Sequence, residues 1–245
     1  MRNVIVTGAS RGLGLAIASA LAGHGYRVIG IARSDSDEFR AAAATLGQQP
    51  GAGELLLKRF DLGETPSIGA LISALRKQYG ALYGLVNNAG TGTAGVLSNM
   101  RKQDIETLLR INMTAPILLC KYALRSMMLE RCGRIVNIAS IVAARGYSGL
   151  SVYAATKAGL IGLTHSLARE VGQLDITVNA VSPGFISTAM TAQIDASLRE
   201  KIAHRSALRR MADPADVAAA VRFLLSDEAR NITGTTLTVD AGGSA

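Results

Sequence analysis

Seven short runs rich in β-branched and other apolar residues recur along the chain, at 3–7, 27–32, 54–60, 83–88, 133–139, 176–181 and 236–239. Longer stretches of helical periodicity separate most of them. Strand then helix, repeated, is the pattern of parallel strands joined by crossovers, because parallel neighbours cannot be linked by a tight turn. Ile135-Val136-Asn137-Ile138-Ala139 is apolar almost throughout, as expected where helices cover both faces of the sheet. The pattern predicts a Rossmann-type, doubly wound α/β fold with a parallel seven-stranded sheet. The 245 residues, 49% of them apolar, suit a single domain over 1–245.

Other classes are disfavoured. Met1-Arg2-Asn3 leads straight into Val4-Ile5-Val6 with no leader pattern, and no apolar run nears the ~20 residues of a membrane span, so a cytoplasmic protein is expected. Cys120 and Cys132 lack paired spacing and histidine neighbours, and His24, His165 and His204 are scattered, so no metal is expected. The net charge of +8 favours anionic ligands, but with aromatics at 4% there is little to stack on bases, and no nucleic-acid role is expected.

Directly after the first run stands Thr7-Gly8-Ala9-Ser10-Arg11-Gly12-Leu13-Gly14, followed by a helical stretch over 15–22. Gly8 permits a tight turn, Gly12 lets the backbone approach a pyrophosphate, and the free N–H groups of the helix start attract its charge. The spacing is Gly-x3-Gly-x-Gly, not the commoner Gly-x-Gly-x-x-Gly. Strand before, helix after and a second strand from Arg27 favour a dinucleotide site over an ordinary turn. At the end of that second strand a carboxylate would take the ribose hydroxyl of NAD. Ile31-Ala32-Arg33-Ser34 offers Arg33 instead, and Arg11 lies in the glycine loop. Two guanidiniums suit the 2′-phosphate of NADP(H), though two ordinary surface arginines would read the same.

Ser140 closes the fifth run, and Tyr153-Ala154-Ala155-Thr156-Lys157 opens a helix with Tyr153 and Lys157 on one face. A free tyrosine has a pKa of about 10; an ammonium and an oxidised nicotinamide beside it would lower that value. Together with the glycine loop, Asn87-Asn88-Ala89-Gly90 and the position of Ser140, these residues resemble the short-chain dehydrogenase/reductase family over essentially the whole chain. The resemblance implies Tyr153 as general acid/base, Ser140 orienting the carbonyl oxygen, Lys157 holding the ribose hydroxyls and tuning Tyr153, and Asn112 anchoring a proton-relay water. It also implies Gly8, Ser10, Arg11, Gly12, Leu13 and Gly14 around the phosphates, Asp61 and Leu62 at the adenine, and Asn88, Ala89 and Gly90 beside the cofactor. Pro183, Gly184, Ile186 and Thr188 fall at the nicotinamide amide.

Asn112 has a reading of its own. Pro116, four residues on, has no N–H to pair with the Asn112 carbonyl inside a helix over 104–131. That carbonyl needs another partner, such as a water, or the kink serves packing. The same helix is apolar nearly all round, and the Tyr153 helix carries the small stripe Ala154, Ala155, Ala158, Gly159 and Gly162. A surplus apolar face fits the family's oligomeric packing, and a homotetramer is expected.

Within the family the chain is most similar to the 3-oxoacyl-[acyl carrier protein] reductases of fatty-acid biosynthesis. The resemblance runs through Gly133-Arg134-Ile135-Val136-Asn137, Ala158-Gly159-Leu160-Ile161-Gly162, Ser182-Pro183-Gly184-Phe185-Ile186 and Ile232-Thr233-Gly234. Thr91-Gly92-Thr93-Ala94-Gly95 departs from their Thr-Arg-Asp-Asn, and Leu150 and Val152 make an apolar approach to Tyr153. The implied reaction is NADPH-dependent reduction of a 3-oxoacyl thioester. A small ketone, polyol or steroid is the alternative substrate, and a non-catalytic cofactor-binding scaffold the rival from another class. Acyl carrier proteins are acidic, which suits the positive charge and a basic group at Arg125, Arg131 and Arg134. One docking arginine of those reductases matches Arg131; Leu174 stands where a second would be.

Overall fold

The computed structural model describes residues 1–186 and 196–245. Its strands are β1 (Asn3–Thr7), β2 (Arg27–Ala32), β3 (Glu54–Arg59), β4 (Leu82–Asn87), β5 (Gly133–Ile138), β6 (Ile176–Pro183) and β7 (Thr236–Val239). The helices used below are α1 (Gly12–Ala22), α2 (Asp37–Leu46), α3 (Ile68–Tyr79), α4 (Lys102–Leu109), α5 (Ala115–Glu130), α6 (Ser151–Val171), α7 (Ala196–Arg205) and α8 (Pro214–Leu225). The strands form one sheet in the order β3-β2-β1-β4-β5-β6-β7, and every pair is parallel. The seven-stranded doubly wound sheet is the one the sequence predicts. β6 runs two residues further than its apolar run because Ser182 and Pro183 still pair with β7.

Side chains along each strand alternate between two helical layers. Val4 and Val6 join α1 and α8 on one face; Ile5 joins α3 and α5 on the other. All three are fully buried, and such a side chain contributes roughly 1.5–3 kcal/mol by leaving water. Strand order reverses beside β1, with β2 and β3 on one side and β4 to β7 on the other. That reversal opens a crevice at the carboxyl ends of β1 and β4, where ligands of such sheets bind.

Two sequence expectations need correction. The helix over 104–131 is not α-helical throughout: a π-turn at Arg110–Thr114 joins α4 to α5 without a gap, and the Ala115 N–H reaches back to the Arg110 carbonyl. Pro116 cannot donate to Asn112, so the ladder slips by one residue there. Arg134 is not part of a basic surface, being 2% exposed. It sits in β5 between β4 and β6, and its guanidinium donates to the carbonyls of Gly133 and Asp175 at 2.8 and 2.9 Å.

The surplus apolar face on α5 is present, with Ile117 40% and Met128 46% exposed. The small stripe of α6 divides. A Cβ on Gly159 would stand 2.6 Å from Met113 Cε of the same chain, whereas Gly162 faces open space. Among the described residues no helix is long and apolar enough to cross a membrane, and no cluster of acids, cysteines and histidines could hold a metal ion.

Candidate active site

Thr7 ends β1, and its hydroxyl accepts the N–H groups of Asn88 and Ala89 at 3.0 and 2.9 Å. Asn88 Nδ2 returns a bond to the Thr7 carbonyl at 2.8 Å. These bonds stitch β1 to β4 at the crevice. Gly8 and Gly12 have φ of 69° and 57°, the left-handed region that favours glycine. A Cβ on Gly14 would lie 2.1 Å from the Gly8 carbonyl oxygen, so α1 can start against the loop only with glycine there. α1 begins at Gly12, three residues before its apolar periodicity, which places Leu13 and Gly14 in its first turn. Arg11 at the N-cap makes no capping bond and the first turn carries no acid. Its N–H groups are left to an anion, and Gly12 faces open space, so a dinucleotide pyrophosphate fits here.

Arg33 follows β2 at once; it and Arg11 are exposed. Neither has a carboxylate partner among the described residues. Asp35 is engaged elsewhere: it bonds Arg40 at 2.7 Å and accepts the Ser36 N–H, and Arg40 holds its carboxyl below the usual range. The locus thus presents two guanidiniums, groups able to grip a phosphate by charge-assisted bonds. Ser36, which sequence reasoning passed over, caps α2 by accepting the Phe39 N–H at 3.1 Å and donates to the Ser10 carbonyl. The run Ser36-Asp37-Glu38 ahead of Phe39 is a helix-start signal that could have found it. Beyond β3, exposed Asp61 accepts the Gly63 N–H at 2.8 Å, and Leu62 is buried.

The catalytic candidates converge at the ends of β4 and β5. Ser140 follows β5, accepts the Val142 N–H at 3.4 Å and stands close enough to Tyr153 of α6 to lower the pKa of its phenol. Lys157, 3% exposed, donates from Nζ to the Ile138 carbonyl at 2.8 Å and lies 5.6 Å from the Tyr153 ring centroid. A Cβ on Gly90 would be 3.5 Å from both Lys157 Nζ and Asn112 Oδ1, so the segment after β4 joins them. Buried Asn112 exchanges two 2.9 Å bonds with the Thr91 backbone and donates to Thr156 at 3.3 Å. Its side chain thus fixes the chain leaving β4. Its main-chain carbonyl, robbed of a helical donor by Pro116, is the group suited to a water.

Burial raises the Tyr153 pKa, and Ser140 offsets this only in part. The Lys157 ammonium is engaged with the Ile138 carbonyl, and desolvation brings its own pKa down to about 8. At the end of β6, buried Pro183 leads to Gly184, whose N–H donates to the Val239 carbonyl at 3.0 Å, and Ile186 bridges to Ala212. Thr188 lies outside the described residues.

A parallel sheet with its crevice at this switch point is the architecture of dinucleotide-binding oxidoreductases. A family model described as enoyl-(acyl carrier protein) reductase matches residues 8–244. The chain is 42% identical to 3-oxoacyl-[acyl-carrier-protein] reductase FabG of Vibrio cholerae over 238 residues, 97% of this chain and 95% of that one. To the protein of the same name in Escherichia coli it is 41% identical over 238 residues, with the same coverage. The chain belongs to the short-chain dehydrogenase/reductase family, and it is an oxidoreductase using a nicotinamide cofactor.

Proposed function

We propose that this protein reduces a 3-oxoacyl thioester to the 3-hydroxyacyl thioester with NADPH, Tyr153 acting as the general acid. The observation that carries the reading is the convergence of Tyr153, Lys157 and Asn112 at the ends of β4 and β5, with Lys157 Nζ 5.6 Å from the Tyr153 ring centroid and the Tyr153 pKa raised by burial. A raised pKa keeps the phenol protonated near neutrality, which is the state a reductive step requires. The relatives named for this reaction supply the substrate class.

When bound, the nicotinamide supplies the hydride. Tyr153 gives its proton to the carbonyl oxygen as that oxygen gains charge, and Ser140 orients the same oxygen. Lys157 holds the ribose hydroxyls, and the Asn112 carbonyl retains a water through which Tyr153 is reprotonated. Gly8, Ser10, Gly12, Leu13 and Gly14 line the pyrophosphate, Arg11 and Arg33 hold the 2′-phosphate, and Asp61 and Leu62 meet the adenine. Asn88, Ala89 and Gly90 flank the ribose, with Pro183, Gly184, Ile186 and Thr188 at the nicotinamide amide. The Gly95 N–H donates to the Gly149 carbonyl at 2.9 Å, joining the two loops beside which an acyl chain would enter past Leu150. Ile117 and Met128 would be covered in a cytoplasmic homotetramer.

A substrate panel with both cofactors tests this. Acetoacetyl thioester should consume NADPH and yield one 3-hydroxyacyl product per NADPH. Turnover of a small ketone, polyol or steroid with none of the thioester would overturn the substrate assignment.

A further inference from the structure

The chain leaving β2 folds back on the glycine loop. The Ser36 hydroxyl donates to the Ser10 carbonyl, which brings residues 33–36 beside the loop that carries Arg11. Asp35 lies within this stretch, two residues after Arg33. A carboxylate in such a place suits a ribose 2′-hydroxyl and repels a 2′-phosphate.

That carboxylate is occupied on both oxygens. Arg40 donates from Nη1 to Asp35 Oδ2 at 2.7 Å, and the Ser36 N–H donates to Asp35 Oδ1 at 2.8 Å. The Asp35 side chain is 21% exposed, that of Arg40 59%. The Arg40 bond is the chief cause that holds the Asp35 carboxyl below the usual carboxylate range, and the Ser36 bond and the charge of Arg59 act in the same direction. Arg59 ends β3 in register with Ala32, the residue before Arg33. The second Arg40 nitrogen reaches Asp37, whose side chain is 96% exposed.

Arg40 does little for α2 itself. It lies in the opening turn, at the helix end that favours anions over cations, and exposed ion pairs contribute little to stability. Its effect is local: it cancels the Asp35 charge beside Arg11 and Arg33 and turns that carboxylate onto α2.

Resting on the NADPH reading, we propose that Arg40 is a positioning residue that sets the cofactor preference. By pinning Asp35 it keeps a carboxylate off the 2′-phosphate held by Arg11 and Arg33. With Arg40 gone, the same carboxylate turns the locus toward NADH.

The test reads dissociation constants of NADPH and NADH from nicotinamide fluorescence in the intact protein without substrate. Arg40→Ala should weaken NADPH by about tenfold at low salt, and by less at high salt where exposed charges are screened, with NADH unchanged or tighter. Arg40→Gln should act alike and takes its place should the alanine variant melt early. Asp35→Asn added to either should restore NADPH binding to within about twofold of wild type, because the freed charge is then gone. Asp37→Asn added instead should restore nothing. NADPH binding unaltered by loss of Arg40, or weakened and not restored by Asp35→Asn, overturns the proposal; the second result would mean that Arg40 grips the phosphate itself. Equal weakening of NADH, or rescue by Asp37→Asn, overturns it too. Wild-type protein that binds NADH as tightly as NADPH overturns the NADPH reading beneath it.

Discussion

Tyr83 and Tyr153 occupy opposite edges of the same sheet, each with a cation at nearly the same distance. Arg134 lies 5.7 Å from the Tyr83 ring centroid and Lys157 lies 5.6 Å from that of Tyr153. Burial raises both phenols, Tyr83 to about 12. The surroundings differ. At the amino edge the Tyr83 hydroxyl donates to the Leu225 carbonyl at 2.7 Å, and Asn3 donates to the carbonyls of Tyr79 and Ala81. Arg2 pairs with Asp227 at 2.9 Å. At the carboxyl edge Tyr153 meets a serine hydroxyl that can itself turn to a ligand. Lys157, unlike Arg134, can lose its proton in an accessible range. Closed hydrogen bonding marks the amino edge as a support, and in the reading proposed above the more open bonding of the carboxyl edge serves a site.

Replacing the cation at the open edge should give the largest response and a divided one. Lys157→Met should lower turnover by more than ~10²-fold while raising stability. Bringing a buried lysine from 10.5 down to about 8 corresponds to roughly 3 kcal/mol of penalty, partly offset by the Ile138 bond, so a net gain of about 1–2 kcal/mol is expected. The folded pKa lies below the unfolded one, so the penalty is full below pH 8 and is relieved as pH rises toward 10.5. Calorimetric melting points of both proteins across that window should therefore converge, and a variant that melts lower at pH 7 would contradict this.

Arg33→Ser touches the open edge at its cofactor end. Losing a charge-assisted contact should weaken NADPH by about 10- to 100-fold and leave NADH nearly unchanged in a fluorescence titration. Equal weakening would place Arg33 in the fold or at the adenine. Asn3→Ala belongs to the closed edge. It leaves two carbonyls without their donor at a cost of about 2 kcal/mol, a fall in Tm of roughly 4–8 °C, with kcat unaltered. A matching fall in kcat would erase the distinction between the edges.

What the sequence disclosed was what is local. The apolar runs mark the strands because each is buried on both faces, and the glycines and the Tyr153-to-Lys157 spacing mark sites made within a few residues. Arg134 was misplaced because its burial comes from β4 and β6, which lie far away in sequence. The partner of Lys157 was hidden for the same reason, since the carbonyl it donates to belongs to Ile138, 19 residues earlier. The break at Arg110–Thr114 was half legible: Pro116 showed that a bond was missing, but not that the ladder would slip.

Tyr153→Phe tests the account most directly, because it removes one proton from the open edge and keeps the ring. Turnover of a 3-oxoacyl thioester at saturating NADPH should fall by at least ~10²-fold, with the NADPH dissociation constant and Tm nearly unchanged. Retained turnover would show that another group protonates the product and that Tyr153, like Tyr83, only packs.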